Sequence, residues 1–201
     1  MKKLILTLIT FFIISIGFSQ IKGFTFGPKI GVNFSKISTN YDSLKNNMKP
    51  GFEIGAFVRI GNKLYVQPEV LFKTKGGKFE VEGVNDVDYK VKLQTVDVPI
   101  MVGVHLIDLK VMNIRLMLGP VASFVLNKDI DTGSSTKIMN ESDFKDMNWG
   151  FQAGIGVDAL ILTLDVRYEL GLNNIYDNKI GNKTVDFKNN LWSVTLGFKI
   201  L

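Results

Sequence analysis

No cysteine occurs anywhere in the chain. A disulfide framework and a thiolate metal site are therefore both excluded. Histidine is almost as scarce: His105 stands alone. After the first twenty residues there is no apolar run of the roughly 20 residues that a transmembrane helix needs. Positive charge exceeds negative by a formal +5, but it is spread along the chain and forms no cluster of the kind that grips nucleic acid. These absences set aside disulfide-stapled scaffolds, helical membrane spans and nucleic-acid binding.

What is present begins with "MKKLILTLITFFIISIGFSQ". Lys2 and Lys3 precede an apolar run from Leu4 to Phe18, and Gly17-Phe18-Ser19 supplies small residues at a cleavage position. This is the pattern of a secretory signal peptide, with no cysteine at the cleavage point to mark a lipoprotein. Residues 1–19 are thus expected to be removed, leaving 20–201 as one domain. Loss of the two lysines brings the net charge from +5 to +3.

The rest of the chain alternates with a period of two. In "FTFGPKIGVNFS" (24–35), Phe24, Phe26, Ile30, Val32 and Phe34 share one face, and Thr25, Gly27, Lys29, Gly31, Asn33 and Ser35 the other. Such alternation predicts a β-strand with two unlike faces. It recurs in "FEIGAFVRIG", in "LYVQPEVLFK", over about 87–104, in "NIRLMLGPVASFVL", in "NWGFQAGIGVD", in "TLDVRYELGL" and in "NLWSVTLGFKI", making eight strands. The phase flips near Gln94-Thr95, which predicts a bulge. Pro68, inside a strand, predicts a missing ladder bond. Connections alternate between short (61–63, about 105–112, about 159–162) and long and polar (37–50, 76–86, 127–147, 173–188). Short turns on one side and long loops on the other are the mark of an up-and-down outer-membrane barrel.

Which face is inside follows from charge. The polar face carries Lys29, Glu53, Arg59, Glu69, Asp97, Arg115, Asp165, Arg167, Glu169 and Lys199. A soluble core would bear a prohibitive desolvation cost for that set. A narrow barrel lumen accepts them if acids and bases pair, so the apolar face is expected to meet lipid and the charges to form a structural network inside. A soluble lipocalin-like barrel is the alternative. Inward Gly27, Gly31, Gly55, Gly154 and Gly156 leave room for long side chains such as Arg167, and Tyr41, Trp149, Tyr168 and Trp192 are expected in interfacial girdles.

The motifs "GPKIGVNFS", "GFEIGAFVRI", "LYVQPEVLF", "VDVPIMVG", "LMLGPVASFVL", "WGFQAGIGVD" and "VRYELGLNNIY" occur in that order across the mature chain. Together they resemble the PorT-like outer-membrane β-barrel family of Gram-negative bacteria. The resemblance implies an eight-stranded outer-membrane barrel, and its founding member is tied to a protein-secretion and gliding apparatus. There are two departures. Asp97 stands where the family usually has glutamate, and the chain ends "GFKIL" rather than in an aromatic residue.

No catalytic set emerges. His105 is expected in a short periplasmic turn, at the wrong end for a base acting near the outer leaflet. "DIDTGSSTK" (129–137) lacks the carboxylate spacing of a calcium loop, and "GIGVD" is not a phosphate loop. The reading is an all-β, eight-stranded antiparallel transmembrane barrel, without enzymatic activity, cofactor or metal. Its N-terminus is expected in the periplasm and four loops outside the cell. Its expected partners are outer-membrane lipid and lipopolysaccharide, with envelope or secretion-complex proteins as further candidates. The role is structural or adhesive, or else that of a secretion-assembly component, a small pore or a lipid-modifying enzyme.

Overall fold

A computed structural model of the chain describes residues 23–39, 44–81, 88–109, 111–132, 146–173, 179–180, 183–184 and 187–200. The expected signal peptide at 1–19 and Tyr41 lie outside them, and so do the side chains of the acidic run 129–137. The strands are β1 (Phe24–Thr39), β2 (Leu44–Gly61), β3 (Leu64–Val81), β4 (Asp88–Asp108), β5 (Met112–Thr132), β6 (Met147–Ala159), β7 (Leu162–Gly171), β8 (Lys179–Ile180), β9 (Lys183–Thr184) and β10 (Phe187–Phe198). β1 to β7 and β10 close into one antiparallel barrel in chain order, and β8 and β9 form a separate small hairpin.

Closure can be followed residue by residue. Phe24 pairs with Ile60, Ile60 with Val66, Val66 with Val102, Val102 with Leu118, Leu118 with Ala153, Ala153 with Tyr168, Tyr168 with Trp192 and Trp192 with Phe34. The path returns to β1 at Phe34, ten residues beyond its start at Phe24. That stagger tilts the strands and leaves an interior just wide enough for side chains to fill.

The outward row is apolar throughout, as alternation requires. Val32, Ile54, Val70 and Ile155 are each about half exposed, at 49%, 53%, 56% and 53%. Trp149 and Trp192 are also outward, and the Trp192 ring lies 4.8 Å from that of Tyr168. The register of β4 against β5 shifts between Gln94 and Thr95, where the phase flip falls. Opposite Pro68 the β2–β3 ladder keeps its register but lacks the pairs between Phe57–Glu69 and Ile60–Val66. Proline has no N–H to give the ladder.

The strands run further than the alternation. β1 and β2 leave only 40–43 between them, and β3 and β4 only 82–87, where connections at 37–50 and 76–86 were expected. β5 continues to Thr132, and the expected 173–188 loop contains β8, β9 and the start of β10. Beyond the lipid belt both faces of a strand meet water. Hydrophobic alternation then fades while backbone pairing continues. At the other end the turn expected at 105–112 narrows to 109–111, and His105 belongs to β4, before a register shift between His105 and Ile107.

Candidate functional site

All ten charges expected inside are inside. Lys29, Glu53, Arg59, Glu69, Asp97, Arg115, Asp165, Arg167 and Glu169 are each at most 4% exposed, and the Lys199 side chain is 17% exposed at the short-turn mouth. The structure adds three that were not singled out: Lys73, Lys75 and Asp158. Their signal was available, since Lys73 and Lys75 continue the odd-numbered face of Tyr65, Gln67 and Glu69, and Asp158 that of Gln152. Among the described residues the fully enclosed charges are six cations (Lys29, Arg59, Lys73, Lys75, Arg115, Arg167) and six anions (Glu53, Glu69, Asp97, Asp158, Asp165, Glu169).

At mid-height, Arg167 donates to both oxygens of Glu69, at 2.9 and 2.6 Å, and to Oδ2 of Asp165 at 2.8 Å. Lys29 lies between the same two carboxylates, at 2.9 Å from Glu69 and 2.6 Å from Asp165. β7 supplies Asp165 and Arg167 at positions two apart, so both point inward. They are opposed on β6 by Gly156 and Gly154. A Cβ at Gly156 would lie 2.5 Å from both Nη2 of Arg115 and Oδ1 of Asp165, so the network occupies the space that glycine leaves.

Towards the short turns, Arg115 reaches Oδ1 of Asp165 at 2.7 Å, Oδ1 of Asp158 at 2.9 Å, Thr163 at 2.6 Å and the Tyr65 hydroxyl at 3.0 Å. Arg59 donates to Asp158 at 2.6 Å and to Gln67 at 2.6 Å. Its guanidinium also lies 5.1 Å from the centre of the Tyr65 ring. Lys199 stands 3.9 Å from Asp158. Burial, and the neighbouring Arg59 and Arg115 against the opposing pull of Asp158, lower its pKa below the ordinary lysine value.

Towards the long loops, Lys73 sits 3.1 Å from Glu53, its cross-strand partner, and 3.4 Å from Asp97. Lys75 binds Asp97 at 2.8 Å, Glu169 at 3.0 Å and Ser123 at 3.1 Å. Thr95 donates to Asp97 and Gln152 to Glu169, at 2.9 and 2.7 Å. Asp165, with Arg115 on one oxygen and Lys29 and Arg167 on the other, ties the lower part to the middle.

This arrangement binds charge to charge and fills the tube. Lone His105 has its Nδ1 2.6 Å from the carbonyl oxygen of Asn62 and its ring 5.2 Å from that of Tyr65. Among the described residues, no three His, Cys, Asp or Glu side chains gather as metal ligands would.

An apolar exterior around a lumen closed by paired charges defines an outer-membrane β-barrel. Residues 18–177 match the outer membrane protein beta-barrel domain family, and the chain belongs to it. No curated protein matches the chain in sequence. Among solved structures, OprG from Pseudomonas aeruginosa is similar with a TM-score of 0.54 at 11% identity, over 89% of this chain and 96% of that one. Ail of Yersinia pestis, solved in complex with the heparin analogue sucrose octasulfate, gives 0.47 at 15% identity, over 90% and 100%. Neisserial surface protein A gives 0.41 at 13% identity, over 89% and 100%. At such identity the likeness to OprG is one of fold.

Proposed function

We propose that this protein is a non-enzymatic outer-membrane barrel with a structural or adhesive role, oriented with its short turns in the periplasm and its long loops presented outside. The observation that carries this reading is the lumen itself. Among the described residues, six buried cations and six buried anions occupy it, each at most 4% exposed. Such packing supports a mechanical plug rather than a pore. Function then falls to the loops and to the outer wall, where lipid and lipopolysaccharide are the natural contacts. Photo-crosslinkers placed in the segments 82–87 and 133–145, which join β3 to β4 and β5 to β6 in the sequence, followed by pull-down from intact envelopes, test this. Crosslinks to extracellular or surface partners support it, and altered lipid A on deletion of the gene, reversed by the wild-type chain, would overturn it in favour of a lipid-modifying enzyme.

A second reading makes the chain a component of a PorT-like secretion or transport assembly. What favours it is the resemblance carried by the seven ordered motifs. It predicts co-purification with a large envelope complex.

A further inference from the structure

The three short turns at one end of the barrel are not alike. The β2–β3 turn is Asn62-Lys63, entered through Gly61 at φ +123°, and both turn residues are exposed and polar. The β6–β7 turn is Leu160-Ile161. Leu160 adopts φ +51°, in the left-handed region that two-residue hairpins require and that asparagine, aspartate and glycine ordinarily supply. A leucine there is strained, and its side chain is 73% exposed, with Ile161 at 53%. Both strain and exposure disfavour leucine at a water-facing tip, so the residue at that position calls for a contact outside the fold.

The β4–β5 turn beside it has the same character. Leu106, Ile107, Leu109, Val111 and Met112 are all exposed. The sequence puts two charges in this turn: Lys110, a residue type whose long apolar stem lets its ammonium stay at headgroup level, and Asp108, which lies next to Asn113, whose amide nitrogen donates to that carboxylate and to the Leu109 and Met112 carbonyls. The two turns are joined: the Leu160 N–H donates to the Val111 carbonyl at 3.1 Å. They therefore form one pad, apolar apart from Asp108 and Lys110. The pad is continuous with the lipid-facing wall, because Leu118, Leu116 and Met112 descend β5 and Val166, Leu164 and Leu162 descend β7 without an outward polar break. A protein-docking surface would be set off from the belt by polar residues at headgroup level. Among the described residues the outward rows of β5 and β7 reach the turns without such a rim, whereas the opposite side ends at Asn62 and Lys63.

We propose that the β4–β5 and β6–β7 turns are buried in the phospholipid of the adjoining leaflet, so that the barrel sits tilted with its β4–β7 side deeper. This rests on the reading of the apolar face as lipid-facing. The natural lack of cysteine makes the test direct. Leu109→Cys, Leu160→Cys and, as control, Asn62→Cys are labelled with an environment-sensitive fluorophore. Each is then refolded into vesicles of phosphatidylethanolamine and phosphatidylglycerol free of other proteins. Labels at 109 and 160 should emit in the blue and be quenched several-fold more by lipids carrying a nitroxide near the headgroup than by aqueous iodide. The label at 62 should behave oppositely. In parallel, a Leu109→Asp/Leu160→Asp double variant should insert several-fold more slowly than Asn62→Asp. Equal iodide quenching at all three positions would overturn the proposal, as would a blue shift that appears only at high protein-to-lipid ratio, which marks a second copy. Failure of the barrel to float with vesicles, or to shift on gels between unheated and boiled samples, would instead sink the membrane reading beneath it.

Discussion

Arg167 holds both oxygens of Glu69, 98 residues earlier in the chain, across the interior of the barrel. Neither strand neighbours the other: Glu69 is on β3 and Arg167 on β7. Such a contact exists only because the sheet closes, and it makes the lumen's charges report on closure.

Removing either partner strands the other among buried groups, and breaking a buried pair typically costs about 3–5 kcal/mol. Arg167→Ala and Glu69→Ala should each lower stability by that order, read from urea unfolding of the refolded protein in lipid. Because Lys29 also binds Glu69, the two losses should not add in the double variant.

Conductance offers a second check. With the lumen occupied by paired charges, the wild-type chain should give no regular single-channel steps in planar bilayers. Arg167→Ala should lose stability without opening a steady pore. Reproducible steps from the wild type would show an open lumen.

On the outer wall, cost should follow depth. Ile155 lies in the middle of the lipid-facing surface and Leu126 near the long-loop rim. Ile155→Arg should destabilise by about 2–4 kcal/mol and Leu126→Arg by about 0–1 kcal/mol, measured by refolding into vesicles. Equal costs at both would contradict a lipid belt.

Packing around glycine gives a further test. Gly156→Ala would place a methyl 2.5 Å from the Arg115–Asp165 pair. Overpacking of this kind should cost about 1–3 kcal/mol in unfolding free energy.

The short-turn mouth should respond to pH through Lys199. Its pKa is lowered in the folded barrel, chiefly by burial and then by Arg59 and Arg115 against Asp158. Below that lowered value the lysine is charged in both states, and folding bears the penalty. As pH rises towards the unfolded value of about 10.4, the unfolded chain holds the extra proton and stability increases. Lys199→Gln should therefore stabilise the barrel at neutral pH, with the advantage shrinking as pH climbs through that window. A stabilisation independent of pH would assign the effect to packing.

Much of this was legible in the chain before folding. Alternation is a local property: side chains two apart share a face whatever the strand pairs with. Hence Glu53, Glu69, Asp165 and Arg167 could be assigned inward, and Ile54, Val70 and Ile155 outward, from parity alone. The flip at Gln94-Thr95 and the misfit of Pro68 were equally local. Lys73, Lys75 and Asp158 obeyed the same parity, though two of them sat near segment ends where the apolar face gives out.

Partners could not be read this way. Lys29 meets Asp165 across 136 positions only because the register advances ten residues around the barrel, and one step more or less would deliver a different carboxylate. Stagger is a condition on the closed sheet, summed over every strand pair, and no single strand carries it. The same holds for strand ends. Outside lipid, where both faces are wet, hydrophobicity no longer marks the ladder, and only pairing with a neighbour shows that β1 runs to Thr39 and β5 to Thr132.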